Sequence, residues 1–197
     1  MALRDFITSS MIVLGERCTI PEPKGIRGML EADAVLNIYP ALIESVTTPL
    51  AQMEATIGAI EGEIGELTRK IGEEDVEGDA TIGGFDDLTT GAAAVCGDTT
   101  LSAAMIAARD AALGSEGRAR LVQASYLSLA GEATQMETRL KPEHWQALDQ
   151  IRVAQITASD VLRHWMALAR SISQKEVRRG ELRGKNDGSE ITRGQVA

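Results

Sequence analysis

Four acidic residues in the middle of the chain have a spacing that partly matches a calcium-binding loop. Counted as an EF-hand loop, Asp75, Glu77, Asp79 and Asp86 would fill positions one, three, five and twelve. The sixth position normally needs glycine for a sharp turn, but here it is Ala80, and the last position normally carries the longer glutamate. The spacing therefore favours a solvated acidic loop and leaves calcium binding open.

The chain contains two cysteines, Cys18 and Cys96, both in stretches that the sequence predicts to be irregular. Thiols stay reduced in a cytoplasm, but a particle released from the cell can oxidise them. The sequence thus allows a disulfide between Cys18 and Cys96, within one copy or between copies, with two unreacted thiols as the alternative. Cysteine and histidine are too scattered for a zinc site, so we expect no metal site.

Residues for nucleophilic catalysis or phosphate binding are poorly placed. The only histidines, His144 and His164, fall on one predicted helix, about 30 Å apart at 1.5 Å per residue, so no catalytic triad can use both. Residues 180–185 resemble a Walker loop, but the motif is one residue short and follows no predicted strand. We therefore expect a protein that is not an enzyme, with no catalytic residue and no cofactor.

The strongest pattern is a heptad seam, in which apolar residues alternate at steps of three and four from Ile43 to Ile71. This spacing predicts a long helix with one narrow apolar stripe that other helices must cover. The helix is expected to run from Thr48 to Ile71, with Gly72 as its left-handed cap. The seam consists of Ile43, Val46, Leu50, Met53, Ile57, Ile60, Ile64, Leu67 and Ile71.

The other segments predict an all-α protein, an elongated helical bundle with heptad-type seams. An extended N-terminal arm (1–28) precedes the bundle (29–179), an acidic, Gly-rich loop (73–100) interrupts it, and a mobile tail (180–197) follows it. A second three-four stripe runs from Ala119 to Leu140, and a last long helix is expected over 142–179. Within that helix a His-Trp pair occurs twice, at 144–145 and 164–165.

Several apolar positions are expected at interfaces between copies, because one thin bundle cannot hide them all. They lie on the arm, on the seam and at one of the two tryptophans. The expected interface residues are Phe6, Ile12, Leu14, Ile57, Ile60, Ile64, Leu67, Ile71 and Trp145.

Charge is unevenly distributed along a chain whose formal net charge is −9. Residues 54–87 carry eleven acidic against two basic side chains, whereas residues 170–197 carry seven basic against four acidic ones. This pattern argues against specific nucleic-acid binding, although the basic tail could touch DNA or an acidic neighbour. No segment approaches the roughly 18 uninterrupted apolar residues of a membrane span, so we expect no membrane partner.

These features are typical of an assembly protein. Aromatic residues make up only 3% of the chain, so large side chains for a thick core are scarce and burial between copies becomes important. We expect a homo-oligomeric structural subunit of a multi-copy particle, such as a neck, connector, tail or internal protein of a tailed phage. It would be made in the host cytoplasm and located in the virion beside other structural proteins. The alternative is a cytoplasmic bacterial adaptor or regulator that binds a partner through a coiled-coil face.

Overall fold

The computed structural model describes residues 40–196, with side chains described at 44, 48, 49 and 51–189. The all-α class is confirmed, because most of the described residues are helical. The predicted arm, with Phe6, Ile12, Leu14 and Cys18, lies outside the described residues. In chain order the elements are α1 (Pro40–Val95), α2 (Thr99–Leu113), α3 (Arg118–Val122), α4 (Leu129–Arg139), α5 (Pro142–Gln150), the two-stranded hairpin β1 (Arg152–Val153) and β2 (Ile156–Thr157), and α6 (Ala158–Val196).

The predicted loop at 73–100 is wrong over most of its length, because α1 continues without a break to Val95. Gly72, expected to end the helix, lies inside it. The side chain of Phe85 is fully buried, and the buried Thr89 donates its hydroxyl to the Phe85 carbonyl oxygen at 2.8 Å. Burial of this face, and not the weak helix propensity of the Gly- and Asp-rich sequence, stabilises this part of α1.

The single helix expected over 142–179 is wrong as well, because the hairpin β1–β2 divides it into α5 and α6. Ala154, in the hairpin turn, has a φ of 53°, which costs a residue with a Cβ about 1 kcal/mol or more. α6 then begins with a capping box. The Asp160 amide donates to Thr157 Oγ1 at 3.1 Å, and the Thr157 amide donates to Asp160 Oδ2 at 3.0 Å. Hydrogen bonds from Thr157 hold the pKa of Asp160 below its usual range.

Two further expectations change in the second half of the chain. The stripe from Ala119 to Leu140 does not lie on one helix, since residues 123–128 separate α3 from α4. The second half of the stripe is buried in the core. Residues 180–196, part of the segment expected to be a mobile tail, continue α6, which extends to Val196; the mobility of this segment stays a prediction. The buried members of the stripe on and beside α4 are Leu129, Ala133, Met136 and Leu140.

The described chain forms two compact units. We call residues 66–180 the core unit, and residues 40–65 together with 181–196 the terminal unit. In the core unit α2 packs against α4 and α5. Among the described side chains of the terminal unit, the buried apolar ones are Ile57 and Leu182. The largest fully buried apolar side chains all lie in the core unit: Phe85, Ile71, Ile82, Leu113, Met136, Leu148, Leu162 and Met166.

Candidate functional site

The four acidic residues with calcium-loop spacing do not form a loop. Asp75, Glu77, Asp79 and Asp86 all lie on α1, and a helix separates the first from the last by about 16 Å along its axis, so the four carboxylates cannot enclose one ion. Within residues 40–196, no group of three or more His, Cys, Asp or Glu side chains is placed to hold a metal ion. Burial, together with the neighbouring charge of Asp75, raises the pKa of Asp79. The EF-hand interpretation is therefore wrong.

Several acidic residues of α1 instead contact partners on later elements of the core unit. Lys175 Nζ lies 2.7 Å from Glu74 Oε1, and both side chains are less than a quarter exposed. His164 Nε2 lies 2.8 Å from Glu77 Oε1, where both side chains are half exposed. These contacts bring α6 to the acidic face of α1. Two more come from α2 and from the segment after α3: Arg109 Nε donates to Asp86 Oδ1 at 2.6 Å, and the Tyr126 hydroxyl donates to Asp75 Oδ2 at 3.1 Å.

The heptad seam is covered unevenly along α1. Ile71, in the core unit, is 1% exposed, and Ile57, in the terminal unit, is 6% exposed. The expected burial of Ile60 and Ile64 is reached only in part, because both side chains are half-buried. Met53 and Leu67 are half-buried as well. Among the described residues, a stripe of regular spacing therefore keeps part of its apolar surface accessible.

Glycines on another face of the same helix also have open space around them. A Cβ added to Gly58, Gly62 or Gly65 would meet no atom within 4 Å outside the neighbouring helix backbone. No contact among the described residues therefore requires glycine at these positions. They lower helix propensity by about 1 kcal/mol each relative to alanine, so packing must offset that cost.

The two His-Trp pairs lie on different helices and have different surroundings. Trp165, on α6, is 3% exposed and belongs to the core. Trp145, on α5, is half-buried and packs against the edge of the core, with the Arg163 guanidinium 4.8 Å from its ring centroid. Part of the Trp145 ring therefore remains accessible, although its predicted place at an interface stays a prediction.

Cys96 lies on the wall of an open groove of about 530 Å³ in the core unit, which we call the Cys96 groove. Its thiol is free and half-buried, and it donates to the Asp98 carbonyl oxygen at 3.4 Å. The predicted Cys18–Cys96 disulfide stays a prediction, because Cys18 is outside the described residues. Apolar side chains from the end of α1, the start of α2 and the residue after α5 line the groove: Leu88, Val95, Leu101, Met105 and Ile151.

A second open pocket, of about 460 Å³, lies beside Tyr126 and the acidic residues Asp75 and Glu176. Burial, and the hydrogen bond that its hydroxyl donates to Asp75, raise the pKa of Tyr126 above its usual range. The backbone carbonyl of Tyr126 accepts a hydrogen bond from the Ser173 hydroxyl, which fixes the segment against α6. A tyrosine that holds its proton more tightly is a poor general base at neutral pH. The pocket therefore offers polar contacts but no activated catalytic group.

Sequence reasoning also missed the buried hydroxyl of Ser159. Its Oγ donates to Asp149 Oδ1, lies 2.8 Å from Thr157 Oγ1, and accepts a hydrogen bond from Arg163 Nη1 at 3.3 Å. The groups in this network are hydroxyls, a carboxylate and a guanidinium, and none of them is a histidine that could remove the Ser159 proton. The network belongs to the start of α6. The run of Thr, Ala, Ser and Asp at 157–160 is typical of a helix N-terminus and could have predicted it.

Comparison with known proteins gives no match: no protein family, no curated protein and no solved structure matches this chain. Over residues 40–196, no helix combines the length and the apolar character needed to cross a membrane. Among the described residues, the seam, the Cys96 groove and Trp145 keep apolar surface accessible.

Proposed function

We propose that the protein is a non-enzymatic structural subunit of a multi-copy particle, in a setting such as the neck, connector, tail or interior of a tailed phage. In this role copies bind one another and other structural proteins of the same particle. The α1 seam contributes to a helical bundle that several chains complete together.

The observation that carries this proposal is the seam of α1, which is only partly buried over much of its described length. Met53 and Ile60 follow heptad spacing, yet among the described residues each keeps part of its apolar surface accessible. Heptad spacing is specific to packing against another helix, since each residue of the seam fits between residues of a facing helix. A second copy offers such a surface with the same spacing, and removing the seam from water favours association.

Support for the phage setting is an analogy at the level of architecture and composition. Virion components of tailed phages include small helical proteins with few aromatic residues and with terminal segments that reach neighbours. This chain is mostly helical, and aromatic residues make up 3% of it. Mass spectrometry of purified phage particles from the host of origin tests the setting directly. Absence of the protein from every particle would contradict a role in the virion.

The oligomeric state of the purified full chain tests the multi-copy role. We expect light scattering to give a mass of several chains at micromolar concentration, and Ile60→Asp to lower that mass because a charge would enter the seam. Ala59→Asp is the matched control, since it adds the same charge at an exposed neighbouring position on the same helix. A wild-type protein that stays strictly monomeric would contradict the proposal.

The same experiment separates the helical adaptor from the structural subunit. An adaptor uses the seam for one different partner, so it is monomeric or dimeric alone and is saturated by that partner at a fixed ratio. A subunit of a particle continues to larger assemblies, because a head-to-tail contact closes into a ring or extends as a filament.

A further inference from the structure

We propose that the groove between α1 and α6 in the terminal unit holds α6 of a second copy of this chain, so that two α1–α6 pairs form one four-helix bundle. The inference rests on the proposed multi-copy function and names the helix of the neighbouring copy that covers the seam. We call this open space of about 570 Å³ the seam groove. Its lining includes Met53, Thr56 and Ile60 of α1 and Lys185, Gly188 and Ser189 of α6.

The seam groove is the unfinished side of a pair of helices. Met53 and Ile60, one heptad apart on α1, are only partly buried there. A Cβ added to Gly188 would meet no atom within 4 Å, so a further helix has room to approach α6. Among the described side chains of the terminal unit, the buried apolar ones are Ile57 and Leu182, so two helices bury little by themselves. A further helix would complete this packing.

Charge disfavours α1 of the second copy as that helix. Glu54 and Glu61 each follow a seam residue by one position, where the charges of a heptad repeat select the partner helix. No basic residue occurs from Pro40 to Thr68, so two α1 helices side by side would place like charges together. The acidic residues of this stretch are Glu44, Glu54, Glu61, Glu63 and Glu66.

α6 has the charge and the spacing that the seam groove requires. Lys185 lies on the groove wall, and the inward face of α6 continues at steps of four and three through Leu182, Asn186 and Ser189. The amide oxygen of Asn186 is buried, yet it accepts no hydrogen bond among the described residues. A buried asparagine gives a helical bundle one defined pairing, because its amide needs a polar partner on a facing helix.

The two charged groups that would join the copies are not engaged within the described chain. Glu61 and Lys185 are both exposed, and neither forms an ion pair with a described side chain. In the core unit the same two helices are joined within one chain by Glu74 and Lys175, 2.7 Å apart. In the bundle each acidic α1 lies between two α6 helices, so Glu61 of each copy reaches Lys185 of the other.

Reciprocal charge reversal tests this pairing on the purified full chain. Glu61→Lys and Lys185→Glu should each weaken association about tenfold in light-scattering titrations, because each variant joins like charges across the contact. An equimolar mixture of the two variants should recover the wild-type mass, since each supplies the charge that the other has lost. Glu116→Lys, at an exposed position of the core unit, is the matched control and should change nothing.

Three results of this experiment would overturn the pairing. Loss of association with Glu61→Lys but not with Lys185→Glu would indicate that α1 of one copy meets some surface other than α6. Loss with both variants that mixing does not recover would exclude a reciprocal contact between copies. Unchanged association in both variants would exclude any contact between Glu61 and Lys185.

Cysteine substitutions show directly which helices meet. In chains that also carry Cys18→Ser and Cys96→Ser, a Glu61→Cys variant is mixed with a differently tagged Lys185→Cys variant and oxidised. Dissolved oxygen with a copper phenanthroline catalyst takes up the two electrons and two protons that the thiols release as the disulfide forms. We expect a dimer that carries both tags and disappears on reduction.

A second cysteine position on α6 is the control for this link. Asp187→Cys replaces Lys185→Cys, because residue 187 is exposed and turned by about 200° around the helix from residue 185. The yield of the mixed dimer should fall severalfold. Equal yields from the two positions would contradict a defined pairing of α1 with α6.

The mass of the wild-type protein separates this inference from the proposed function. An assembly of several chains without the mixed link leaves the multi-copy function standing and overturns the pairing. An assembly of several chains with the link supports both. A dimer with the link supports the pairing and favours the adaptor over the subunit of a particle. A strictly monomeric protein overturns both.

Discussion

The core unit and the terminal unit contain stretches of the same two helices, but these stretches are stabilised by different means. In the core unit α1 buries Ile71, Ile82 and Phe85 to 1% exposure or less. Charged and polar contacts to later elements, such as Lys175 with Glu74, add to that packing. In the terminal unit the described seam side chains are mostly half-buried.

The difference teaches that regular heptad spacing does not by itself locate the core. The most regular part of α1 is only partly covered within the chain, whereas the part that looks irregular in sequence packs most tightly. A core built from several elements tolerates irregular spacing, because each position needs only some apolar neighbour. Where one helix packs along another, its apolar residues must recur every three or four positions, because each turn has to face the same partner.

The largest expected effect is in the core unit. Phe85→Ala should lower the free energy of unfolding by about 3–5 kcal/mol, because it leaves a cavity where a fully buried ring now packs. Urea denaturation followed by circular dichroism measures it. Val76→Ala, on the same helix but 72% exposed, should change little. A small effect of Phe85→Ala would remove the distinction between the two units.

A smaller loss of stability is expected in the terminal unit, and its size should depend on protein concentration. Ile57→Ala should lower the free energy of unfolding by about 2 kcal/mol. This is the lower end for a buried isoleucine, because the neighbouring seam side chains are only partly buried. If copies associate through the seam, the melting temperature of the wild type rises with protein concentration and that of Ile57→Ala rises less. Melting curves at two concentrations measure this, and curves independent of concentration would indicate that each chain is stabilised alone.

A gain in stability is expected from the glycine face. Gly62→Ala should raise the free energy of unfolding by up to about 1 kcal/mol, because alanine favours the helix and the new Cβ meets no atom within 4 Å. Thermal melts of the variant measure the gain. If the melting temperature rises while the oligomer dissociates, the backbone of a neighbouring copy approaches this face in the assembly.

The smallest expected effect is an alkaline pH dependence in the core unit. Burial and its bond to Asp75 raise the pKa of Tyr126, so the folded protein keeps this proton more tightly than the unfolded chain. The resulting stability is fully present below the usual tyrosine pKa of about 10, and it is lost as the pH rises from there through the folded-state pKa. Absorbance titration of the tyrosinate band, compared with Tyr126→Phe, checks the shift. A Tyr126 that titrates normally would contradict the bond to Asp75.

The sequence predicted the helical class correctly but misplaced several boundaries, for identifiable reasons. Apolar residues at 82, 85 and 93 keep helical spacing, but Thr89 and Gly78 occupy intervening positions of the stripe and hide it. Thr89 fits because its hydroxyl bonds back to the Phe85 carbonyl oxygen inside the helix. The helix start at Thr157 carried a recognisable capping signal, which the uninterrupted apolar pattern around it outweighed.

The candidate surfaces were predictable only where spacing alone defines them. The seam could be recognised because three-four repetition is a local property of the sequence. The Cys96 groove could not, because α1, α2 and the residue Ile151 meet there only after the chain has folded. The Ser159 network likewise needs Asp149, ten residues earlier and on another helix.

The contact between Lys175 and Glu74 joins residues 101 positions apart, which has a consequence for how the chain is made. At about 5–20 residues per second, a ribosome adds the partner of Glu74 roughly 5–20 s after Glu74 itself. Over that interval the part of α1 that carries Glu74 and Glu77 exists without the part of α6 that contacts it. Newly made chains can therefore associate prematurely before α6 emerges from the ribosome. The yield of folded protein should fall when ribosomes, and thus nascent chains, lie closer together on one messenger RNA.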